Sequence, residues 1–219
     1  MKIIRSWRKS LSLSIGTDGE LIIKAPYFTS EKTILSFIEK NKTWIEKAKS
    51  SVLEKSKNFV EGEEFYFLGN TYKLIFDEVS EKISFDGNNF YLNYKHKEKT
   101  REKFIIFYKT EASKHIKERV VILAREYNLD FRELRITSAK TRWGSCSSKK
   151  NLNFSFRLIM SPLETIDYVI IHELSHLLEM NHSQKFWSNV DNFFSKLNHG
   201  HYKKHQKWLK VNGNKLMYV

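Results

Sequence analysis

The segment HELSHLLEMNH, residues 172–182, gathers three histidines and two glutamates into eleven positions. On a helix, His172 and His176 project from one face about one turn apart, so two imidazole nitrogens can reach a single ion at about 2.0–2.1 Å. Glu173 is rotated from His172 by about 100°, which suits it poorly as a third ligand but well as a hydrogen-bond partner of a coordinated water. Zinc lowers the pKa of such a water towards about 7, and a neighbouring carboxylate can take its proton. The chemistry implied is metal-assisted hydrolysis. The competing reading is a helix whose histidines merely face solvent.

A third protein ligand is needed. Metallopeptidases with the H-E-x-x-H pattern and a thermolysin-type site take it from a glutamate on a later helix, and this chain has none after Glu179. Glu179 itself lies two turns from His172, about 10 Å along the axis, which is too far. His182, six residues after His176, matches the H-E-x-x-H-x-x-G-x-x-H spacing of the metzincins, with Glu179 standing where their turning glycine would be. The spacing predicts a helix that stops near Met180 and a turn made by Asn181, which tolerates the left-handed conformation. Asp191 is the rival ligand, fifteen residues beyond His176 in a segment with its own helical spacing.

The elements that must position these residues can be read from periodicity. SPLE, residues 161–164, predicts a helix start with Ser161 as N-cap, Pro162 at the first helical position and Glu164 closing a capping box. Ile166, Val169, Ile170, Leu174, Leu177 and Leu178 supply an apolar face, so the motif belongs on a buried helix. Upstream, LRITSAKTRWGSC and NLNFSFRLIM read as two strands joined through SSKK, and residues 101–129 as one long amphipathic helix. Residues 95–101 are charged and polar and read as a linker. Before them, residues 1–28 alternate weakly around GTDG, residues 30–57 have helical spacing, and FYFLGNTYKLIF and KISFDGNNFYLNY read as hairpins with turns at GN and DGNN. This predicts an α+β chain, with a β-rich region over residues 1–97 carrying a helical insertion and a catalytic domain over 98–219.

Composition narrows the setting. The 219 residues are 41% hydrophobic, with two prolines, eight glycines and no biased segment, as in a folded protein with a real core. Cys146 is the single cysteine, so no intramolecular disulfide forms, and it reads as a small buried hydrophobe more than as a reactive thiol or an extra ligand. The apolar run of a signal peptide is interrupted by Ser10, Ser12 and Ser14, and no membrane-length apolar stretch occurs, so a cytoplasmic protein without membrane contact is expected. Net charge is +13: residues 1–100 hold 17 Lys+Arg against 14 Asp+Glu, and residues 101–219 hold 21 against 11. The basic second half makes weak nucleic-acid binding a candidate property.

Residues 141–187, TRWGSCSSKKNLNFSFRLIMSPLETIDYVIIHELSHLLEMNHSQKFW, resemble the YgjP-like zinc metallopeptidases, which are similar to the SprT-like proteases. The resemblance rests on R-W-G-S-C, L-N-x-x-x-R-L, P-x-x-x-I-D-Y-V, the histidine helix and N-H-S-x-x-F-W, and extends loosely to WIEKA and FLGNTYKL. The segment SKLNHGHYKKHQKWL departs from it, lacking a proline expected before the last helix. The resemblance implies a zincin-like catalytic domain that holds one Zn2+ per chain through His172, His176 and His182, with Glu173 as general base acting on protein or peptide substrates.

Further residues are weighed beside it. Arg142, Trp143 and Gly144 belong beside the active-site helix, where an edge strand can pair with an extended substrate, although Trp143 equally suits the core. Asn153 and Arg157 alternate with apolar neighbours, and Arg157 is a candidate for stabilising an oxyanion. His201 or Tyr202 can fold back to polarise a substrate carbonyl, whereas His96 and His115 read as surface residues. Two alternatives to a zinc peptidase are a SprT-like protease confined to DNA- or RNA-bound proteins and a metal-stabilised interaction module without turnover. An intact Glu173 speaks against the second, because a purely structural site needs no base.

Overall fold

A computed structural model describes residues 1–16, 19–55 and 57–216. The chain divides into two compact units, Met1–Asn58 and a larger one from Phe59 onward.

In the first unit, strands β1 (Lys2–Ser6), β2 (Ser12–Ile15) and β3 (Leu21–Pro26) form a sheet in the order β1-β3-β2, with β1 parallel and β2 antiparallel to β3. The hairpin predicted around GTDG is the β2–β3 pair; Thr17 and Asp18 lie outside the described residues. Strand β1 has no counterpart in the hydrophobic pattern because its residues are exposed or half-buried. Leu21, Ile23 and Ala25 alternate inward from β3 and cluster with Ile34 of α1 (Glu31–Lys40) and Ile45 of α2 (Lys42–Lys55). Ser30 caps α1, its Oγ accepting from the Thr33 N–H at 3.2 Å.

The second unit opens with strands β4 (Glu64–Phe67), β5 (Asn70–Asp77), β6 (Ser84–Phe85) and β7 (Asn89–Asn93), in the order β4-β5-β7-β6. Both predicted hairpins form, but the first turns through Leu68 and Gly69, which take φ of 48° and 89°, rather than through Gly69 and Asn70. The sheet's apolar face meets α3 (Thr100–Glu126), where Phe65 stacks on Phe104 with centroids 4.2 Å apart and the Tyr108 hydroxyl donates to the Tyr66 carbonyl at 2.7 Å. Residues 95–101 are therefore not a linker. A 3-10 turn, Tyr94–Lys99, capped by Asn93, runs straight into α3 with its charges outward and Thr100 buried. Nor does the chain divide at residue 97 as predicted: strands β4–β7 have one apolar face, and its partners are on α3, so both belong to one unit.

Strands β8 (Glu133–Thr137), β9 (Gly144–Cys146) and β10 (Asn151–Ser155) form a second sheet in the order β8-β10-β9, β8 parallel and β9 antiparallel to β10. The two strands predicted here are thus three, because residues 138–143 leave the sheet, and Phe156–Met160 is a 3-10 turn rather than strand. Helices α4 (Leu163–Ser175), α5 (Gln184–Ser195) and α6 (Tyr202–Leu216) complete the unit.

The start of α4 differs from the predicted capping box. Pro162 is the N-cap, its carbonyl accepting from Thr165 and Ile166, both at 2.9 Å, and the buried Ser161 hydroxyl makes no cap bond. The β4–β5 turn takes over the anchoring: the Leu68 and Gly69 N–H groups donate to the Ile159 and Met160 carbonyls at 2.9 and 3.2 Å. A second anchor holds α4 one turn before the histidines. The Arg119 guanidinium of α3 grips buried Asp167 bidentately at 2.7 and 2.8 Å, and His199 reaches the same carboxylate at 2.9 Å. No helix of the described residues is long and apolar enough to cross a membrane.

Gly69 is the glycine this arrangement needs. A Cβ there would lie 2.8 Å from both Cα and Cγ of Pro162, on a residue already at φ +89°. Gly69→Ala is expected to cost about 2 kcal/mol or more in urea unfolding, combining the φ penalty with the clash. Gly87→Ala, at φ +101° with open space around it, should cost only about 1 kcal/mol. Equal losses would show that the Pro162 contact is unimportant.

Candidate active site

Helix α4 delivers the first two histidines and then unwinds. It ends at Ser175, with His176 as C-cap at φ −67°, ψ −17°, several residues before the predicted stop near Met180. The Leu177 and Leu178 N–H groups close the end on the Leu174 and Ser175 carbonyls at 3.0 and 3.1 Å. The chain returns through Asn181, whose carbonyl accepts from Ser183 N–H at 2.7 Å. Asn181 is not among the residues with positive φ, so the predicted left-handed turn is not used. Stopping the helix early makes the glycine of the metzincin pattern unnecessary.

The result brings one ligand atom each from His172, His176 and His182 within 4.8 Å of one another. His172 Nε2 and His182 Nε2 are 3.0 Å apart, near the separation of about 3.3 Å that bonds of about 2.0–2.1 Å to a tetrahedral zinc would give. His176 Nδ1 bonds to the Glu179 carbonyl at 3.1 Å, which fixes that ring and turns Nε2 towards the other two. Burial, then the neighbouring His176 and His182, pull the His172 pKa down to about 3, and burial lowers that of His176. Neutral imidazoles are what a metal ion requires, so the donor set fits one. Asp191 is not in the cluster; its carboxylate faces His201 at 3.6 Å, both exposed.

Aromatic rings from α5 floor the cluster. Ser183 caps α5 through its Oγ, and one turn later the fully buried Phe186 ring lies 4.9, 4.5 and 4.6 Å from the rings of His172, His176 and His182. Trp187 follows at 5.8 Å from His172 and 5.7 Å from His182. Phe186 and Trp187 carry no metal-binding chemistry and escape a search for ligands; the signal was the N-H-S-x-x-F-W run.

Glu173 points to the other side, onto β9. A Cβ at Gly144 would sit 2.6 Å from Glu173 Cγ and 2.7 Å from Oε1, so the carboxyl occupies the space a side chain would fill. Burial pushes the Glu173 pKa up to about 8, opposed by Arg142 and by a hydrogen bond from the Cys146 backbone N–H. The half-buried Cys146 thiol is itself raised to about 11, by burial and then by Glu173, which keeps it a neutral thiol outside the histidine cluster.

The remaining candidates scatter. Arg142 is exposed, just ahead of β9. Trp143 is half-buried, with its indole packed against Gly213 of α6 where a Cβ would be 2.8 Å away. Arg157 is buried in the 3-10 turn after β10, donating to the Ser138 carbonyl at 3.3 Å with its guanidinium 4.3 Å from the Phe156 ring, so its visible contacts are structural. Tyr202 is buried and stacks between Trp187 and Tyr168 at 5.5 and 6.1 Å, one ring layer out from the histidines, while His201 stays at the surface.

The family described as YgjP-like, metallopeptidase domain, matches residues 9–212. Two solved structures are similar. The metallopeptidase zymogen jannalysin of Methanocaldococcus jannaschii is 26% identical, with 45% of this chain and 97% of that one covered and a TM-score of 0.39. The zymogen abylysin of Pyrococcus abyssi is 18% identical, with 44% and 93% covered and a TM-score of 0.39. A search of curated proteins gives no match. A match over nearly the whole chain defines the class, a metal-dependent peptidase. The chain belongs to the YgjP-like family.

If the seat of Glu173 matters to the activity, Gly144→Ala should keep fold and metal content while lowering peptide hydrolysis at least about tenfold, since small displacements of a reacting group are costly. Hydrolysis unchanged in a variant with normal metal content would show that the contact has no catalytic consequence.

Proposed function

We propose that the protein hydrolyses peptide bonds at a zincin-like site in which His172, His176 and His182 hold one zinc ion and Glu173 is the general base. The observation that carries this reading is the convergence of three histidine ring nitrogens within 4.8 Å, from the helix that bears Glu173, its C-cap and the chain that returns beyond it. Zinc bound there supplies Lewis-acid polarisation of the scissile carbonyl and a lowered pKa for water.

The chain's residues do the rest. Glu173 takes the proton of the attacking water on its carboxylate and delivers it to the leaving amine nitrogen. Burial beside a cation suits that exchange, because the cation favours the carboxylate form and burial the protonated one. The Cys146 N–H and the bare backbone at Gly144 hold the carboxyl in place. The Glu179 carbonyl orients His176, and Phe186 keeps water from the underside of the rings. β9 is an edge strand on which an extended substrate can pair. Tyr202 and His201, on the α5–α6 side of the histidines, are the candidates for polarising the substrate carbonyl. Burial of Glu173 speaks against a metal-stabilised module without turnover, which would have no use for a carboxyl held off the ligands.

Two measurements test this. Glu173→Gln should retain metal and lose at least about a hundredfold in kcat; loss of metal together with activity would make Glu173 a ligand or a structural element. His182→Ala should lose most of its zinc by metal analysis, while Asp191→Ala keeps it, and the reverse pattern would overturn the ligand assignment.

The excess of 21 basic over 11 acidic residues in 101–219 favours a second reading, a peptidase acting on nucleic-acid-bound proteins. It requires DNA or RNA binding that falls steeply between low and physiological salt, and no binding at low salt would eliminate it.

A further inference from the structure

Strand β9 pairs with β10 on one side, and among the described residues no strand pairs with the other. Its residues alternate in direction: Gly144 faces Glu173, so Ser145, in register with Asn153, faces away from α4. On that far face Thr137, Ala139, Ser145, Asn153 and Ser155 surround a cavity of about 180 Å³, with Arg142 in its wall. No carboxylate lines it. Its other polar groups are engaged internally: Ser155 Oγ donates to the Ala139 carbonyl at 2.7 Å, Thr137 Oγ1 to the Phe154 carbonyl at 3.3 Å, and Asn153 Nδ2 to Ser145 Oγ at 3.4 Å.

Arg142 differs from its neighbours. It is exposed, makes no hydrogen bond or ion pair with any described residue, and stands two residues from the glycine that touches Glu173. A peptide laid along β9 would turn every second side chain to this face, beside Ser145 and within reach of the guanidinium. A small cavity of hydroxyl, amide and backbone groups beside the Trp143 indole, with the Arg142 cation in its wall and no carboxylate lining it, attracts a carboxylate and repels lysine or arginine.

We propose that this cavity is a substrate subsite next to the scissile bond, and that Arg142 selects an aspartate or glutamate side chain there. The proposal rests on the peptidase reading above, with the substrate extended along β9. Discrimination between an acidic side chain and its amide is recognition of the ground state and the transition state alike, so that difference belongs in KM.

The test uses the zinc-loaded full chain and fluorescein-labelled peptides of one host sequence, with Asp, Glu, Asn, Gln, Lys or Arg placed in turn at each position. Cleavage is followed by mass spectrometry and binding by fluorescence polarisation. At one position near the cut, acidic peptides should exceed their amide isosteres about tenfold in kcat/KM, mainly through KM, a preference that shrinks as salt rises. In Arg142→Gln that acid-to-amide ratio should fall to about one, and in Arg142→Glu the preference should pass to Lys and Arg. A preference that survives Arg142→Gln, or none in the wild type, would each overturn the proposal. Acid-selective, Arg142-dependent binding without cleavage of any peptide would refute the peptidase reading and leave the subsite standing. Absence of acid-selective binding as well would refute the subsite.

Discussion

The side chain of Glu173 fits because Gly144 has none. A carboxyl in contact with a strand backbone, nearly out of water, is costly unless its surroundings are fixed and its oxygens bonded. The Cys146 N–H supplies one such bond, and the strand that carries it is fixed to β10. This close approach sets the distance between α4 and the sheet. It also keeps Glu173 apart from His172, because the two leave the same helix in different directions.

The rest of the unit keeps that helix from moving. At its start the Gly69 turn presses on Pro162, and midway Arg119 and His199 hold Asp167. At its end the helix closes with His176 as its C-cap, and the chain turns back so that His182 returns above Phe186. The β4–β7 sheet thus has a stake in the site although none of its side chains belongs to the cluster. It offers one turn, and that turn supplies hydrogen bonds to the residues just before α4.

The sequence was most legible where periodicity and motif agreed. Helices over 100–126 and 184–195 follow their apolar spacing, and the histidine cluster follows from residues close together in the chain. It was least legible where long-range packing decided the outcome. β1 shows no pattern because its residues are exposed or half-buried, and β9 breaks from β8 because residues 138–143 leave the sheet. Charge at 95–101 looked like a linker, yet it is the solvated side of a turn feeding a buried helix. A serine before proline looked like a cap, but the Pro162 carbonyl is the cap, and the residues before it are held by a hairpin tip about ninety residues earlier in the chain. Arg157 suited an oxyanion by strand alternation, but the strand ends at Ser155 and Arg157 lies in the 3-10 turn that follows. Gly144 was placed beside the histidine helix by its motif, but the reason for a glycine there is its neighbour in space, Glu173.

X-ray absorption at the zinc edge of the reconstituted full chain examines the ligand set without relying on activity. Three imidazole ligands should appear at about 2.0–2.1 Å with one oxygen donor and no sulfur, and Glu173→Gln should leave that spectrum unchanged. A sulfur shell at about 2.3 Å, which only Cys146 or a methionine could supply, or fewer than three imidazoles, would contradict a site made of His172, His176 and His182 with Glu173 held apart from the metal.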